Sequence, residues 1–241
     1  MLTWLAIGFV AGLLDYTLAL GYGLTASLIL VPILGMDPKQ AVSVIVFSQL
    51  LTLIPAFIAH LREGNVSLSI PWPVLVFIAM TSVLSFILPF FILSMSIIER
   101  RVLYSLTLLA ALAVLEIRKR VWIRSRYVLS FFALIAALDK STVGGGLSII
   151  FVTIQTIFNV DLKNAIAMTP LLKLIPTLTT ALGYLSAMKG IDFGAVLLMS
   201  AGSLLSLTIA PKLLKRVKSD ERMIEGLLLL ASILNLLRIF L

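Results

Sequence analysis

Long apolar stretches set the strongest limit on how this chain can fold. With 61% hydrophobic and only 12% charged residues, the chain has too little polar surface to cover a soluble domain. We therefore predict an all-α polytopic membrane protein. Six stretches have close to the ~20 residues that a helix needs to cross a bilayer, namely 40–60, 70–95, 99–117, 164–188, 193–211 and 223–241.

Two further apolar regions, residues 3–36 and 127–159, are too long for one simple span and are interrupted in the middle. The first contains the sequence LLDYTLALGYGL, and the second contains ALDKSTVGGGLS. Each interruption leaves pieces of roughly 12–18 residues, which are short for a full crossing. Such pieces are typical of half-helices, and we predict an interrupted, re-entrant hairpin in each region.

The two interrupted regions indicate an internal repeat. The stretches GMDPKQA and NVDLKNA correspond at an offset of 124 residues, and the same offset relates Asp15 to Asp139. After a length change in a loop, Pro89 corresponds to Pro211 at an offset of 122. Homologous repeats of this size are typical of transporters with a site at the repeat interface. The predicted divisions are repeat 1, a basic linker and repeat 2, at 1–118, 119–126 and 127–241.

Basic residues in the loops predict the orientation in the membrane. Arg and Lys cluster at 118–126 and again at 212–222, and such clusters mark the cytoplasmic side. In the repeat, the 212–222 loop corresponds to residues 95–101. One helix separates 95–101 from 118–126, so 95–101 would lie on the outside. The two corresponding loops would then lie on opposite faces of the membrane. Each repeat would then hold one hairpin and three spanning helices, with inverted topology. A parallel repeat of four helices is the competing arrangement. In either case we expect a multi-pass protein of the cell (plasma) membrane.

Four ionisable residues lie at hydrophobic depth: Asp15, Asp139, Lys140 and Lys173. A charge there is costly unless it is paired or faces a wet cavity, so such residues are usually functional. Lys173 lies near the middle of the bilayer, and its repeat equivalent is Gln49, which is also polar within an apolar stretch. We predict that these two positions line a shared site. The alternative is that Lys173 makes only a structural ion pair with Asp15 or Asp139.

Glycines follow the buried charges in both interrupted regions. A half-helix that begins at such glycines would direct backbone N–H groups and a positive dipole end at an anion, and glycine admits a ligand close to that backbone. Close helix packing is the alternative explanation. Asp15 and Asp139 are candidates for carrying a proton during transport. The candidate substrate-binding residues are Gly21, Gly23, Thr25, Gln49, Lys140, Gly144, Gly145, Gly146, Thr169 and Lys173.

Other kinds of site have little support in the sequence. The chain has no cysteine and one histidine, His60, which excludes thiolate metal sites and most histidine-based sites. It contains no nucleotide-binding or hydrolase motif. We therefore predict no enzyme activity, no metal and no cofactor. The net charge of +8 is explained by basic loops rather than by nucleic-acid binding. The expected partners are the lipid bilayer and a small anion. A homodimer is a possible assembly.

The stretches VPILGMDPKQAVSV and HLREGNVSL in the first half, and GGGLSIIFVTIQTIFNVDLKNAIAMTPL and GYLSAMKGIDFGAVLLMSAGSLL in the second, occur in a characteristic order. In this order the chain resembles the TauE/SafE (sulfite exporter, TSUP) family of membrane permeases. The resemblance implies export of small sulfur-containing anions such as sulfite, thiosulfate or organosulfonates. The sequence departs from the family at DYTLALGYG, which replaces a denser glycine run, and at Asp15 and Asp139, where glycine is usual.

These observations predict a secondary transporter with one anion site between the repeats. Helix N-termini near Gly21 and Gly144 would bind the oxygens of the anion, Lys173 would supply the countercharge, and Gln49 and Thr169 would add hydrogen bonds. Two alternatives stay open. One is a proton- or cation-coupled uptake carrier for another small anion, and the other is a non-transporting membrane subunit.

Overall fold

The computed structural model of the protein describes residues 1–96, 98–100, 102–103, 106, 126–145 and 147–216. Every regular element within these ranges is helical. The helices are α1 (Leu2–Leu18), α2 (Tyr22–Leu28) with a π-helical continuation (Ile29–Ile33), α3 (Pro38–Arg62), α4 (Trp72–Ser94), α5 (Arg126–Val143), α6 (Leu147–Ile157), α7 (Leu162–Leu172), α8 (Leu174–Ala187), α9 (Phe193–Ser206) and α10 (Ala210–Arg216).

Four of the predicted spans fall in the described part of the chain. Helices α3 and α4 and the continuous pair α7–α8 are long and apolar enough to cross a membrane, and α9–α10 form a fourth candidate span that is bent by 42°. The predicted all-α fold is therefore confirmed for the described residues, with three to four helices long and apolar enough to span a membrane. The predicted span 223–241 lies outside the described residues, as do most of 99–117 and of the basic linker 119–126.

The stretches GMDPKQA and NVDLKNA perform the same task in the fold, because each starts a spanning helix. Asp37 caps α3 by accepting a hydrogen bond from Lys39 N (2.9 Å). Asp161 caps α7 by accepting from Lys163 N at 3.0 Å. An aspartate at this position satisfies an N–H group that has no partner inside the helix. Pro38, the first residue of α3, adds a backbone angle already suited to a helix.

Both predicted interruptions occur where the sequence places them. Helix α1 ends at Leu18, and Ala19 takes the left-handed conformation (φ 55°) with its N–H bonded to Asp15 O. The second break follows α5, where Gly144 has φ 83° and Gly145 has φ 142°. A positive φ does not belong to a right-handed helix, so neither helix continues through its break; at the second break the residues with positive φ are glycines, which adopt such angles easily. The third glycine of this run, Gly146, lies outside the described residues.

Helix α3 and the pair α7–α8 run in opposite directions. Just after α3, Ser67 N donates to Asn164 Oδ1 at the start of α7 (2.7 Å). At the opposite end, Val42 near the start of α3 packs against Tyr184 near the end of α8. We call these two ends of the bundle the Glu63 end, where α3 stops and α7 starts, and the Asp37 end, where α3 starts and α8 stops.

Helix α4 and the pair α9–α10 are also antiparallel. Leu93, close to the end of α4, packs in the same cluster as Val42 at the Asp37 end. The chain enters α9 from the end of α8, also at the Asp37 end, and leaves α10 at the Glu63 end, where Lys215 pairs with Glu63 (2.8 Å). The two pairs of elements that the predicted repeat relates, α3 with α7–α8 and α4 with α9–α10, therefore run in opposite directions in the bundle.

Small residues allow α1 and α9 to pack backbone against backbone. A Cβ atom added at Gly8 would lie 2.0 Å from Met199 O, and one added at Gly202 would lie 2.0 Å from Leu5 O. Helices in a bilayer associate through such close contacts rather than through a hydrophobic effect. This packing holds α1, and the break at its end, against the centre of the bundle.

Candidate functional site

Buried polar side chains gather at half the height of the bundle. Gln49 lies at the middle of α3 and is fully buried. Lys173 lies at the junction of α7 and α8, between Pro170 and Pro176, and is also fully buried. Proline removes a backbone donor and bends a helix, and the junction at Lys173 interrupts the span at the same height as Gln49. The ends of α1 and α5 bring further charges to this level.

Lys173 is held by an ion pair with Asp15. Its Nζ lies 2.6 Å from Asp15 Oδ2, and both side chains are 1% exposed. The same Nζ lies 2.7 Å from Ser148 Oγ, and the Ser148 hydroxyl donates to Asp15 Oδ1. The two charges and the hydroxyl therefore satisfy one another, which offsets the cost of removing them from water. This triad joins α1, α6 and the α7–α8 junction.

Lys140 has different partners, although it is buried just as completely. Its Nζ donates to Gln49 Oε1 and to Gly144 O (3.1 Å), both of which are neutral acceptors. Within the described ranges Lys140 makes no ion pair. Gln49 Nε2 is buried and has no hydrogen-bond partner among the residues that the structure describes. The Lys140–Gln49 contact thus joins the end of α5 to the middle of α3 without neutralising the lysine.

The two breaks cross at their glycines. A Cβ atom at Gly23 would lie 2.2 Å from the carbonyl carbon of Gly144, so only glycine fits there. A Cβ atom at Gly145 would lie 3.3 Å from Gln49 Oε1, 3.4 Å from Gly23 N and 3.5 Å from Lys140 Nζ. The glycines predicted to approach a ligand therefore approach each other, and they leave one point that is close to three polar groups.

Hydroxyl groups surround this cluster on the side of α9. Tyr16 OH lies 2.8 Å from Thr52 Oγ1 and 3.2 Å from Ser203 Oγ. Tyr22 OH lies 3.2 Å from Ser48 Oγ. These contacts tie α1 and α2 to the middle of α3, beside Gln49. They connect the charged cluster to the rest of the bundle through uncharged hydrogen bonds.

Sequence reasoning missed several of these residues. Ser148, which bridges the buried ion pair, was not predicted, and neither were Tyr16 and Tyr22. Two sequence signals could have indicated them. Ser148 lies two residues after the last glycine of the run, and α9 carries serines at three-residue intervals, SAGSLLS, that face the bundle interior. Serine on the buried face of an apolar helix usually has a hydrogen-bonding role.

The predicted residues do not all meet. Gln49 and Lys173 lie at one level, but among the described residues no hydrogen bond joins them; each bonds to a different partner. Asp139 is fully buried, and its charge acts on Lys140, as do the charges of Asp15 and Lys173.

Three predicted residues stand apart from these contacts. Thr169 bonds to Ala165 O (2.7 Å) and accepts from Gln155 Nε2 (3.3 Å), on the neighbouring face of α7. Gly21 (φ 87°) forms the turn before α2, and Thr25 is partly buried in α2. In the parts of the chain that the structure describes, no three His, Asp or Glu residues form a group that could bind a metal.

Comparison with known proteins gives one match. The family model described as Sulfite exporter TauE/SafE matches residues 4–236 of the 241-residue chain. This range contains both breaks, the α7–α8 junction and every residue of the buried cluster. No curated protein and no solved structure gives a significant match.

Proposed function

Because this chain belongs to the sulfite exporter TauE/SafE family, we propose that it is a secondary transporter that moves small sulfur-containing anions, such as sulfite, thiosulfate or organosulfonates, out of the cell. Members of this family are membrane transporters rather than enzymes. The observation that carries the proposal is the pair of fully buried lysines, Lys140 and Lys173, beside two broken helices. Buried cations in spanning segments mark ion pathways.

The anion binds where the two breaks cross. Gly23 and Gly145 bring backbone close to the lysine-bearing segments, and Lys140 Nζ and the amide of Gln49 lie within 3.5 Å of the same point. Broken helices in transporters offer backbone groups to a substrate at the middle of the membrane. Lys173, now paired with Asp15, supplies a second positive charge to this region.

Two repeats of inverted topology form the scaffold for this site. The proposal is supported by the antiparallel course of α3 and α7–α8, and by that of α4 and α9–α10. It is also supported by packing, because α1 packs on α9 as its counterpart α5 packs on α4. Inverted repeats allow one half to rock against the other around a fixed central site, which opens it to each side in turn.

The broken segments are re-entrant hairpins that enter from opposite ends. Ile7 of α1 and Leu30 of the π-helical segment pack in one cluster with Ala41 at the start of α3, at the Asp37 end. Leu129 of α5 and Phe158 after α6 pack in a cluster that includes the loop after α3, at the Glu63 end. Each hairpin would therefore seal the site from one side of the membrane.

Transport is coupled to protons through the buried carboxyl groups. A proton on Asp15 would remove the charge that holds Lys173, and Lys173 Nζ could then turn to the anion. Asp139, beside Lys140, is the second group that could carry a proton. Buried carboxylates serve as proton carriers in many transporters. The site lies in the plasma membrane, and the basic 118–126 loop faces the cytoplasm.

Flux measurements on the purified chain in proteoliposomes test this function. We expect proteoliposomes to take up more radiolabelled thiosulfate and sulfite than protein-free vesicles do. A proton gradient in one direction, but not in the other, should accelerate this uptake. Lys173→Ala should reduce the flux strongly, because it removes a buried charge and leaves Asp15 without its partner. Lys189→Ala makes the same chemical change in an exposed loop and should leave the flux unchanged.

Two results would count against the proposal. Absence of flux for all sulfur-containing anions in wild-type vesicles would reject the substrate class. Undiminished flux in a folded Lys173→Ala variant would remove Lys173 from the pathway. Direction is read in cells, because deletion of an exporter raises the internal sulfite concentration, whereas deletion of an uptake carrier lowers it.

A further inference from the structure

We propose that Lys140 and Gln49, rather than Lys173, form the primary contact point for the anion. The inference rests on the proposed function for the chemical class of the ligand, an oxyanion of sulfur, and it specifies how the site recognises that class. In the structure the two lysines are equally buried but differently compensated. That difference, together with the Nε2 group of Gln49, which has no hydrogen-bond partner among the described residues, assigns the contact point for the anion.

The first step concerns charge. Lys173 Nζ lies 2.6 Å from a carboxylate oxygen of Asp15, so its charge is already balanced. Among the described residues, Lys140 Nζ donates to the neutral oxygens Gln49 Oε1 and Gly144 O. A buried ammonium group bound only by neutral acceptors has not regained what it lost on leaving water. An anion beside Lys140 would supply the missing charge, whereas one beside Lys173 would have to compete with Asp15.

The second step concerns the amide of Gln49. Its Oε1 accepts from Lys140, while its Nε2 is buried without a partner among the described residues. A buried donor without an acceptor costs free energy, and buried polar groups in native proteins are nearly always paired. An anion oxygen next to Lys140 would accept from Nε2 as well. Lys140 and Gln49 would then act as two donors to one ligand.

The third step concerns space. A point at Cβ distance from Gly145 lies 3.3 Å from Gln49 Oε1, 3.4 Å from Gly23 N and 3.5 Å from Lys140 Nζ. Because residue 145 is glycine, no side chain fills that point. An oxygen near it could accept from the lysine and from the backbone N–H of Gly23, while Gln49 would have to turn its amide to present Nε2 in place of Oε1. These donors around one point suit one oxygen of an –SO₃ group, which sulfite, thiosulfate and sulfonates share.

Asp139 also bears on this site. It precedes Lys140, is fully buried, and its charge acts on Lys140, although less than the charges of Lys173 and Asp15 do. A carboxylate this close to Lys140 would repel a ligand of high charge more strongly than one of low charge.

Binding measurements on the full chain in detergent test the assignment. Titration calorimetry with thiosulfate should show Lys140→Met weakening the Kd by roughly 30-fold or more, the usual scale for removing one partner of a buried charge contact. Lys140→Arg, which keeps the charge, should recover part of this loss. Lys189→Met removes an exposed lysine and should bind like the wild type.

Gln49→Glu provides a second, nearly isosteric test. The new carboxylate would pair with Lys140 and exclude the anion, so binding should fall as strongly as in Lys140→Met. Gln40→Glu makes the same change at an exposed position of the same helix and should have no effect. Gly145→Ala should also block binding by filling the shared point, whereas Gly190→Ala, also at positive φ but with nothing within 4 Å, reports the effect of backbone strain alone.

The outcomes separate the two proposals. If the wild type binds the anion and Lys140→Met binds it with the same Kd, the assignment is overturned and the proposed function stands. If Lys140→Met does not fold, an unchanged Kd in Gln49→Glu has the same meaning. A wild-type chain that binds neither thiosulfate nor sulfite would overturn both. Loss of binding in Lys140→Met and Gln49→Glu, with binding kept in both control variants, would support the assignment.

Discussion

Lys140 and Lys173 occupy the same level of the bundle, are equally buried, and differ in what they bind. Lys173 is matched by Asp15 and by the hydroxyl of Ser148. Among the described residues, Lys140 is matched by the oxygens of an amide and a peptide group. A cation paired with a carboxylate has its charge balanced, whereas a cation with neutral partners can still gain from an anionic ligand. Burial alone therefore does not identify a binding residue, and the partners of the buried charge must be known.

This comparison also separates two roles in transport. The Asp15–Lys173 pair joins α1 to the α7–α8 junction. The Lys140–Gln49 contact joins the end of α5 to the middle of α3. A ligand that draws Lys140 away from Gln49, or a proton that frees Lys173 from Asp15, would loosen a different contact between the halves in each case.

The largest effect on stability is expected when the Asp15–Lys173 ion pair is broken. Lys173→Met leaves Asp15 buried without its counter-ion, and such a change costs about 3–5 kcal/mol of stability. The double variant Asp15→Asn with Lys173→Met removes both charges and should recover most of that loss. Thermal unfolding in detergent measures both. If the double variant were no more stable than the single one, the Asp15–Lys173 contact would not be the source of the loss.

A smaller effect is expected when the crossing of the breaks is enlarged. Gly23→Ala places a Cβ atom 2.2 Å from Gly144 backbone, so the hairpins must separate at a cost of about 1–3 kcal/mol, the usual scale for overpacking. Thiosulfate binding should fall with stability, because Lys140 moves with its hairpin. Gly194→Ala, another helical glycine near the exposed start of α9, is the matched control. Equal behaviour of the two variants would show that the crossing tolerates separation.

The smallest effect is expected from an ion pair at the surface. Lys215 lies 2.8 Å from Glu63, and its hydrogen bond lowers the pKa of that carboxyl. The pair therefore adds stability above the ordinary pKa of glutamate, and this contribution disappears as the pH falls through the lowered value. Because water and salt screen it, Lys215→Met should hardly change the melting temperature at neutral pH. If Lys215→Met lowered the melting temperature as much as Lys173→Met does, the expected difference between buried and exposed ion pairs would be wrong.

Much of this arrangement could be predicted from residue types alone. The spans follow from their length and apolar composition, and the starts of α3 and α7 follow from Asp37 and Asp161, because capping is a local interaction. The break after Lys140 follows from the glycine run. Each of these features depends on residues only a few positions apart, so no knowledge of tertiary contacts is needed.

The partners in the cluster could not be predicted in the same way. Both Asp15 and Asp139 were equally plausible partners for Lys173 in the sequence, and Thr169 was expected beside the anion although it bonds to Gln155 on another face. The position of Ser148 close to the glycine run marks it in the sequence, but its bridging role depends on Asp15 and Lys173, which lie far away in the chain. Ion pairing depends on distances of a few ångströms between segments more than 100 residues apart, which only the packing of the helices sets.

By itself, the sequence determined that this chain is helical, that it enters a membrane, where two of its helices break, and which charges are carried to hydrophobic depth. Periodicity, length and local backbone preference account for these features, because they act within one segment. Only the tertiary structure decided that, among the described residues, one buried lysine pairs with a carboxylate and the other bonds to neutral oxygens. That choice arises where two breaks cross at glycine, since the close approach of Gly23 and Gly144 brings Lys140 to Gln49 and leaves Asp15 to Lys173.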